Sequence, residues 1–190
     1  VIPFLNVRPA SMTVDGTFRP DFSQVESDAY QIEVNQRYPL FYSEKRPFFM
    51  EGMGTFGLAG SGGDSNMTTA VHTRRIVDPL YGFKFTGSYG KLNFATLTAA
   101  DRAPGRGDAG PDLAGKDKLF NVARVIYSLG NGSYAGGLFT DSEFGAGHNR
   151  AAAGDVSLRL GEHHRWSATF IGTETRSADG LSRRSGLAGQ

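Results

Sequence analysis

Short segments of alternating side chains, separated by turn residues, fill the second half of this chain and narrow the choice of folds. In residues 80–176 apolar and polar side chains follow the two-residue period of a β-strand. In residues 81–86, for example, three aromatic residues alternate with Gly, Lys and Thr. Six such segments follow one another, and an amphipathic helix would need a period near 3.6 instead. This half of the sequence therefore predicts antiparallel β-hairpins.

The composition supports an all-β fold. The chain has 26 Gly among 190 residues and no Cys. Glycine weakens helix interiors and is at home in turns, while the absence of cysteine excludes disulfides, thiolate metal sites and thiol catalysis. Because 20 Lys and Arg stand against 19 Asp and Glu, the chain has no excess positive charge for nucleic acid. We expect no nucleic-acid partner.

The sequence divides into three regions. We predict an irregular or extended N-terminal segment over residues 1–79, antiparallel hairpins over residues 80–176, and a polar tail or loop over residues 177–190. No apolar run reaches the roughly 18 residues that a membrane helix needs. Any crossing of a membrane would have to use β-strands.

The connections between the six predicted strands alternate in length. Turns are predicted at residues 89–91, 130–132 and 161–164, and longer loops at residues 100–117 and 141–151. Outer-membrane β-barrels alternate in this way, with short turns on the periplasmic side and longer loops outside. A soluble antiparallel sandwich also has alternating strands and hairpins, so it stays an alternative at this point.

A transmembrane barrel would place the two faces of each strand in different surroundings. We predict that one set of side chains points to lipid: Phe83, Phe85, Leu158, Trp166 and Phe170. A second set would face the lumen: Lys84, Arg124, Arg159 and Thr169. Aromatic residues near predicted strand ends suit interfacial girdles, namely Tyr81, Tyr127, Tyr134 and Trp166. Six strands are fewer than the about eight of the smallest usual bacterial barrel. The barrel would therefore be partial, or residues 1–79 would contribute strands.

Polar residues are densest between residues 19 and 52, and an Arg pair follows at 74–75. The carboxylates could supply the acid and base of a glycoside hydrolase. We favour a binding or structural network at the lumen or its rim, because both charge signs are present and an unpaired buried charge is costly. Its candidate members are Asp21, Gln24, Glu26, Asp28, Glu44, Lys45, Arg46, Glu51, Arg74 and Arg75.

Other motifs give no site. The glycine-rich segment 57–64 lacks the Gly-Lys-Ser/Thr of a phosphate-binding loop. His163 and His164 are adjacent, so on a strand they would point to opposite faces and would not chelate one metal. We assign no catalytic residue, no metal and no cofactor.

Three motifs carry a resemblance to a known family. PDFSQVESD at residues 20–28, EKRPFFMEG at 44–52 and TRRI at 73–76 resemble motifs of bacterial outer-membrane proteins with an uncharacterised C-terminal β-barrel domain. In these proteins a carbohydrate-binding family-nine-like module often precedes the barrel. Residues 84–99 look like the first clear hairpin of that domain, and the resemblance covers about residues 11–176.

The resemblance implies that the chain is the N-terminal part of the barrel domain in the bacterial outer membrane. Its partners would be outer-membrane lipid and the missing remainder of the same polypeptide. We expect a partial barrel that binds or passes a polar solute such as a saccharide. Two alternatives stay open: a glycoside hydrolase using two of Glu26, Glu44 and Glu51, and a soluble β-sandwich carbohydrate-binding module.

Overall fold

The described part of the computed structural model is a single antiparallel β-sheet. It covers residues 11–20, 45–59, 71, 73–105, 110–161, 163–177 and 180–189. Eight strands lie in sequence order: β1 Ser11–Phe18, β2 Pro79–Tyr89, β3 Leu92–Asp101, β4 Lys118–Gly130, β5 Ser133–Phe144, β6 Gly147–Leu160, β7 His164–Ser177 and β8 Gly180–Gly189. The predicted all-β meander is confirmed. The described sheet is open, because β1 pairs only with β2 and β8 only with β7.

Two strands lie outside the six that the alternation predicts. The predicted polar tail or loop over residues 177–190 is wrong for residues 180–189, because β8 pairs along its whole length with β7. The irregular character expected of residues 1–79 does not hold for β1, which pairs with β2 from Ser11 to Phe18. Both segments are rich in small and polar residues. They form strands because a neighbouring edge offers unpaired backbone groups, a long-range effect that local composition does not report.

The predicted loop over residues 141–151 is also wrong. Strand β5 continues to Phe144, a two-residue turn follows, and β6 begins at Gly147. The turn is possible because Gly145 has a φ of 60°, in the left-handed region that glycine adopts readily. The charged composition that resembled a loop belongs to two paired strands, on which Arg150 binds Asp141 and Glu143 across the hairpin.

The two long connections share one edge of the sheet, and the connections on the opposite edge are all short. One edge, here called the turn edge, carries the short connections after β2, β4 and β6. The opposite loop edge carries the long connections 19–78 and 102–117, together with the tight turns after β5 and β7. The loop edge is therefore mixed, whereas the predicted pattern had only long loops there.

The two predicted sets of strand side chains lie on opposite faces of the sheet. Register pairs such as Lys84 with Leu97 and Arg124 with Leu138 place partners on the same face. The set Phe83, Phe85, Leu158, Trp166 and Phe170 shares what we call the outer face, and Lys84, Arg124, Arg159 and Thr169 share the inner face. The partition into two faces is confirmed. The predicted girdle residue Tyr134 pairs with Ser157 and lies on the inner face, whereas Tyr81, Tyr127 and Trp166 are on the outer one.

A segment between β1 and β2 packs on the inner face. This docked segment comprises residues 45–59, 71 and 73–78, with a short helix at Pro47–Met50 and 3-10 turns at Met53–Phe56 and Thr73–Arg75. Pro47 suits the first helical turn, where no backbone N–H partner is required. A further 3-10 turn, Ala103–Gly105, follows β3.

The apolar core lies between the docked segment and the sheet. The segment contributes Phe49, Phe56, Leu58 and Ile76, and the strands contribute Ala95, Leu97, Ala99, Leu138 and Ala153. Small strand residues leave space for the large residues above them. At Gly82 a Cβ atom would lie 2.6 Å from the ring of Phe48, so glycine is what lets this ring rest on β2.

We predict that Phe49→Ala lowers the free energy of unfolding by about 3–5 kcal/mol, because it empties a fully buried aromatic site. Phe49 is 0% exposed, whereas the adjacent Met50 is 52% exposed. Met50→Ala is therefore the matched control, with an expected change within about 0.5 kcal/mol. Urea unfolding followed by circular dichroism measures both. Equal losses for the two variants would contradict the placement of the docked segment.

Candidate functional site

A buried ion pair occupies the centre of the inner face. The Nη1 and Nη2 atoms of Arg124 on β4 donate to the two carboxylate oxygens of Asp155 on β6. Both side chains are 0% exposed. Such bidentate pairing fixes the geometry as well as the charge, because the guanidinium fork matches the carboxylate.

This ion pair spans the intervening strand β5, and Gly136 makes the span possible. Gly136 pairs with both Asp155 and Ile126 in the register. A Cβ atom at position 136 would lie 2.7 Å from Nη1 and 2.9 Å from Nη2 of Arg124. The guanidinium therefore crosses directly over the bare backbone of β5.

The same carboxylate holds the docked segment. Asp155 Oδ2 accepts a hydrogen bond from the Ala59 N–H at 2.8 Å. Thr169, the β7 neighbour of Asp155 in the register, donates its hydroxyl to the Ala59 carbonyl at 2.8 Å. Both backbone groups of Ala59 are thus bound by inner-face side chains of adjacent strands.

Lys84 on β2 anchors the other end of the same stretch. Its Nζ donates to the carbonyl oxygens of Phe48 at 2.9 Å and Glu51 at 2.7 Å. It also lies 3.7 Å from the carboxylate of Asp15 on β1. A lysine that binds the last carbonyls of a helix satisfies acceptors that the helix itself cannot.

Two further charged side chains hold the docked segment in place. One links two parts of the segment, and the other links the segment to β3. Buried Arg46 donates to the Thr73 carbonyl at 2.9 Å and to the Ile76 carbonyl, and its guanidinium lies 4.4 Å from the centre of the Phe49 ring. Asp101, at the end of β3, accepts from the backbone N–H groups of Val77 and Asp78 at 2.9 and 2.8 Å. These charges bind backbone groups, so they fix the path of the chain.

The structure describes only part of the network predicted from the sequence. Asp21, Gln24, Glu26, Asp28 and Glu44 lie outside the described residues. Arg46 is buried, whereas Lys45, Glu51 and Arg75 are exposed. Arg74 lies in the Thr73–Arg75 turn, and only its backbone is described. The Arg46 side chain donates a hydrogen bond to the carbonyl oxygen of Thr73 in this turn. The wider network stays a prediction.

Asp155 and Asp101 were not among the sequence candidates. The inward position of Asp155 could have been predicted from the sequence. Asp155 alternates along β6 with the apolar residues Val156 and Leu158, which lie on the outer face. Its partner Arg124 could be placed inward by the same alternation. Their contact could not be predicted, since it depends on the register of two strands and on the gap at Gly136.

A polar cleft lies beside these anchors, near the turn edge of the inner face. Its volume is about 380 Å³, and it lies between the docked segment and the first strands of the sheet. Its lining includes hydroxyl or amide side chains from six residues: Ser11, Thr13, Thr55, Thr86, Ser88 and Asn93. None of the described lining residues carries a titratable group.

The outer face becomes charged toward the loop edge. Arg150 binds Asp141 at 3.0 Å and Glu143 at 2.7 Å, and Glu174 binds Arg183 at 2.7 Å. These are partly or largely exposed pairs, and such pairs add little to stability. They lie among apolar residues of the outer face, since Leu119 and Leu181 are also exposed near the loop edge.

The described residues lack a metal-binding cluster and a membrane-spanning helix. These residues contain no group of three or more His, Cys, Asp or Glu side chains that could hold a metal ion. None of the helices in this part of the chain is long and apolar enough to cross a membrane.

Comparison with known proteins gives one match. Residues 9–60 match the model of a family described as a domain of unknown function (DUF5916). This stretch contains β1 and the part of the docked segment that Lys84, Asp155 and Thr169 hold. No curated protein and no solved structure matches the chain.

We predict that Gly136→Ala lowers the free energy of unfolding by about 1–3 kcal/mol, because the new methyl group displaces the guanidinium from Asp155. Gly137→Ala is the matched control on the adjacent outer-face position, where a Cβ atom meets nothing closer than 3.9 Å. Chemical unfolding of both variants measures the difference. A Gly136→Ala variant as stable as Gly137→Ala would contradict the placement of Arg124.

We predict that Asp155→Ala destabilises the fold by about 3–5 kcal/mol, since it leaves the Arg124 charge buried and unpaired. Asp141→Ala, which breaks an exposed pair with Arg150, should cost about 1 kcal/mol or less. Adding Arg124→Met to Asp155→Ala should restore part of the loss, because the unpaired charge is then gone. Additive losses in this double-mutant cycle would show that the two residues are not coupled.

Proposed function

We propose that the eight strands form part of the wall of an outer-membrane β-barrel, whose inner face binds or passes a polar solute. The outer face contacts lipid in this proposal. The observation that carries it is the set of large apolar side chains exposed on the outer face, opposite an inner face that buries charged side chains beside its apolar core.

Seven of the eight strands expose large apolar side chains on the outer face. They are Met12, Val14, Phe18, Tyr81, Phe83, Tyr89, Leu119, Val125, Tyr127, Leu129, Phe139, Leu160, Trp166, Phe170, Leu181 and Leu187. A soluble antiparallel sheet turns its apolar face to a core and its polar face to water. Contiguous apolar surface on this scale marks an interaction site, and lipid hydrocarbon suits a surface that extends across a whole sheet.

The ends of the strands fit the same proposal. Tyr89, Tyr127 and Trp166 lie on the outer face near the turn edge, as aromatic residues do at the level of lipid headgroups. Strands β2 to β8 have 10–14 residues, and a tilted membrane strand needs about 9–11. The charged outer-face pairs near the loop edge would then lie beyond the hydrocarbon.

Closure of the barrel requires further strands. An open edge within a bilayer would leave backbone N–H and C=O groups without partners, at several kcal/mol each. In this proposal strands from the remainder of the same polypeptide pair with the free edges of β1 and β8. The solute side is the inner face, where polar groups of the sheet and the docked segment meet.

Trp166 tests the proposal, because it is the only tryptophan of the sequence and is 47% exposed on the outer face. We expect lipids brominated near the headgroup to quench its fluorescence most strongly when the chain is folded into vesicles. In a Trp166→Phe background, Phe170→Trp places the probe about 10 Å deeper along a tilted strand. Deeply brominated lipids should quench that variant best.

Ile171→Trp in the same background is the matched control. Ile171 neighbours Phe170 but lies on the inner face, so bromine at any depth should quench it only weakly. Circular dichroism checks that each variant has kept its β-structure, and Thr173→Trp replaces Ile171→Trp if that variant does not fold. Equal quenching on the two faces, or none at either outer-face position, would contradict the proposal.

A further inference from the structure

The cleft near the turn edge differs chemically from the rest of the inner face. Elsewhere the inner face carries charged groups, among them Lys84, Arg124, Asp101 and Asp155, each of which is bound to a partner. The described lining of the cleft is neutral. Its hydroxyl and amide side chains come from four directions: β1, β2, β3 and residue 55 of the docked segment.

We propose that this cleft is a binding subsite for a small, uncharged, polyhydroxylated solute such as a neutral monosaccharide or disaccharide. The inference deepens the proposed function and rests on it, because it takes the inner face as the solute side. It names the class of solute and the place where the solute binds.

The chemistry of the lining selects this class. A serine or threonine hydroxyl both donates and accepts, and the Asn93 amide offers two donors and an acceptor. Adjacent sugar hydroxyls have the same dual capacity, so they can pair with such a lining in several ways. An ionic solute would find no opposite charge in the described lining and would lose hydration without compensation.

Space and shape agree with a small ligand. The volume of about 380 Å³ lies near the lower end of the roughly 300–1,000 Å³ that small-molecule pockets span. Ile126 on β4 contributes an apolar patch to the lining, which suits the C–H face of a sugar ring. Gly54 borders the cleft at a position where a Cβ atom would meet nothing within 4 Å, so the docked segment leaves the entrance clear.

The bonding of the nearest lysine keeps the cleft neutral. Lys84 precedes Thr86 by two residues on the inner face of β2. Its Nζ is bound by two carbonyl oxygens and faces Asp15. The charge is therefore directed to the docked segment and not to the solute.

The test measures binding of glucose and maltose to the folded chain by calorimetry, in a zwitterionic detergent without a sugar headgroup. Gluconate and glucosamine serve as the charged comparisons. Thr86→Val removes one lining hydroxyl at constant shape, and Asn93→Leu removes the amide. Each should raise the Kd of the neutral sugar about 3- to 10-fold, the range for one lost hydrogen bond. The control Thr96→Val makes the same change on the outer face of β3 and should leave the Kd unchanged.

Three results would overturn the inference: no neutral sugar binds and the cleft holds water only, charged sugars bind equally well, or Thr86→Val behaves as Thr96→Val does. Quenching of Trp166 by brominated lipid separates this failure from failure of the proposed function. If lipid quenches Trp166 but no sugar binds, the proposed barrel wall stands and the subsite is wrong. If sugar binds but lipid does not quench Trp166, the cleft binds sugar in a protein whose outer face does not contact lipid, and the proposed function is wrong.

Discussion

The fold depends on satisfying charges that the sheet itself buries. An ionised side chain in a protein interior costs several kcal/mol unless it is paired and hydrogen-bonded. Lys84, Arg124 and Asp155 all lie on the inner face, and the docked segment supplies partners for two of them through the backbone of residues 48, 51 and 59. The sheet and the segment are therefore not separate layers, because Lys84 and Asp155 make part of their hydrogen bonds to the backbone of the segment.

Glycine makes this arrangement geometrically possible. Neighbouring strands are about 4.8 Å apart, so an arginine that binds a carboxylate two strands away must pass over the strand between them. Gly136 allows that passage, and Gly82 allows the Phe48 ring to lie close to β2. The high glycine content of the chain thus has two sources: turns with positive φ, such as Gly145, and flat positions inside strands.

The sequence predicts the parts of the fold that depend on local alternation. The two-residue period places Phe83, Lys84, Arg124 and Phe170 on their correct faces without any knowledge of pairing. It fails over residues 141–151, because paired charges on a hairpin have the composition of a loop. It fails for β8 as well, since that strand forms along the edge of β7 more than from its own propensity. The path of the docked segment cannot be predicted from the sequence, because it depends on contacts between distant residues. Asp155 and Ala59, for example, are 96 residues apart.

Along β1 to β3 the inner face changes from the loop edge to the turn edge, and in the proposed barrel this limits the path of a solute. Asp101 binds the docked segment near the loop edge, the aromatic core and Lys84 hold it in the middle, and neutral hydroxyl groups line the cleft near the turn edge. Displacing the segment would uncover the apolar core and break the hydrogen bonds that Lys84 and Asp155 make to its backbone. In the barrel proposed above, a solute would therefore move past a fixed segment, along the side where β1 to β3 line the cleft.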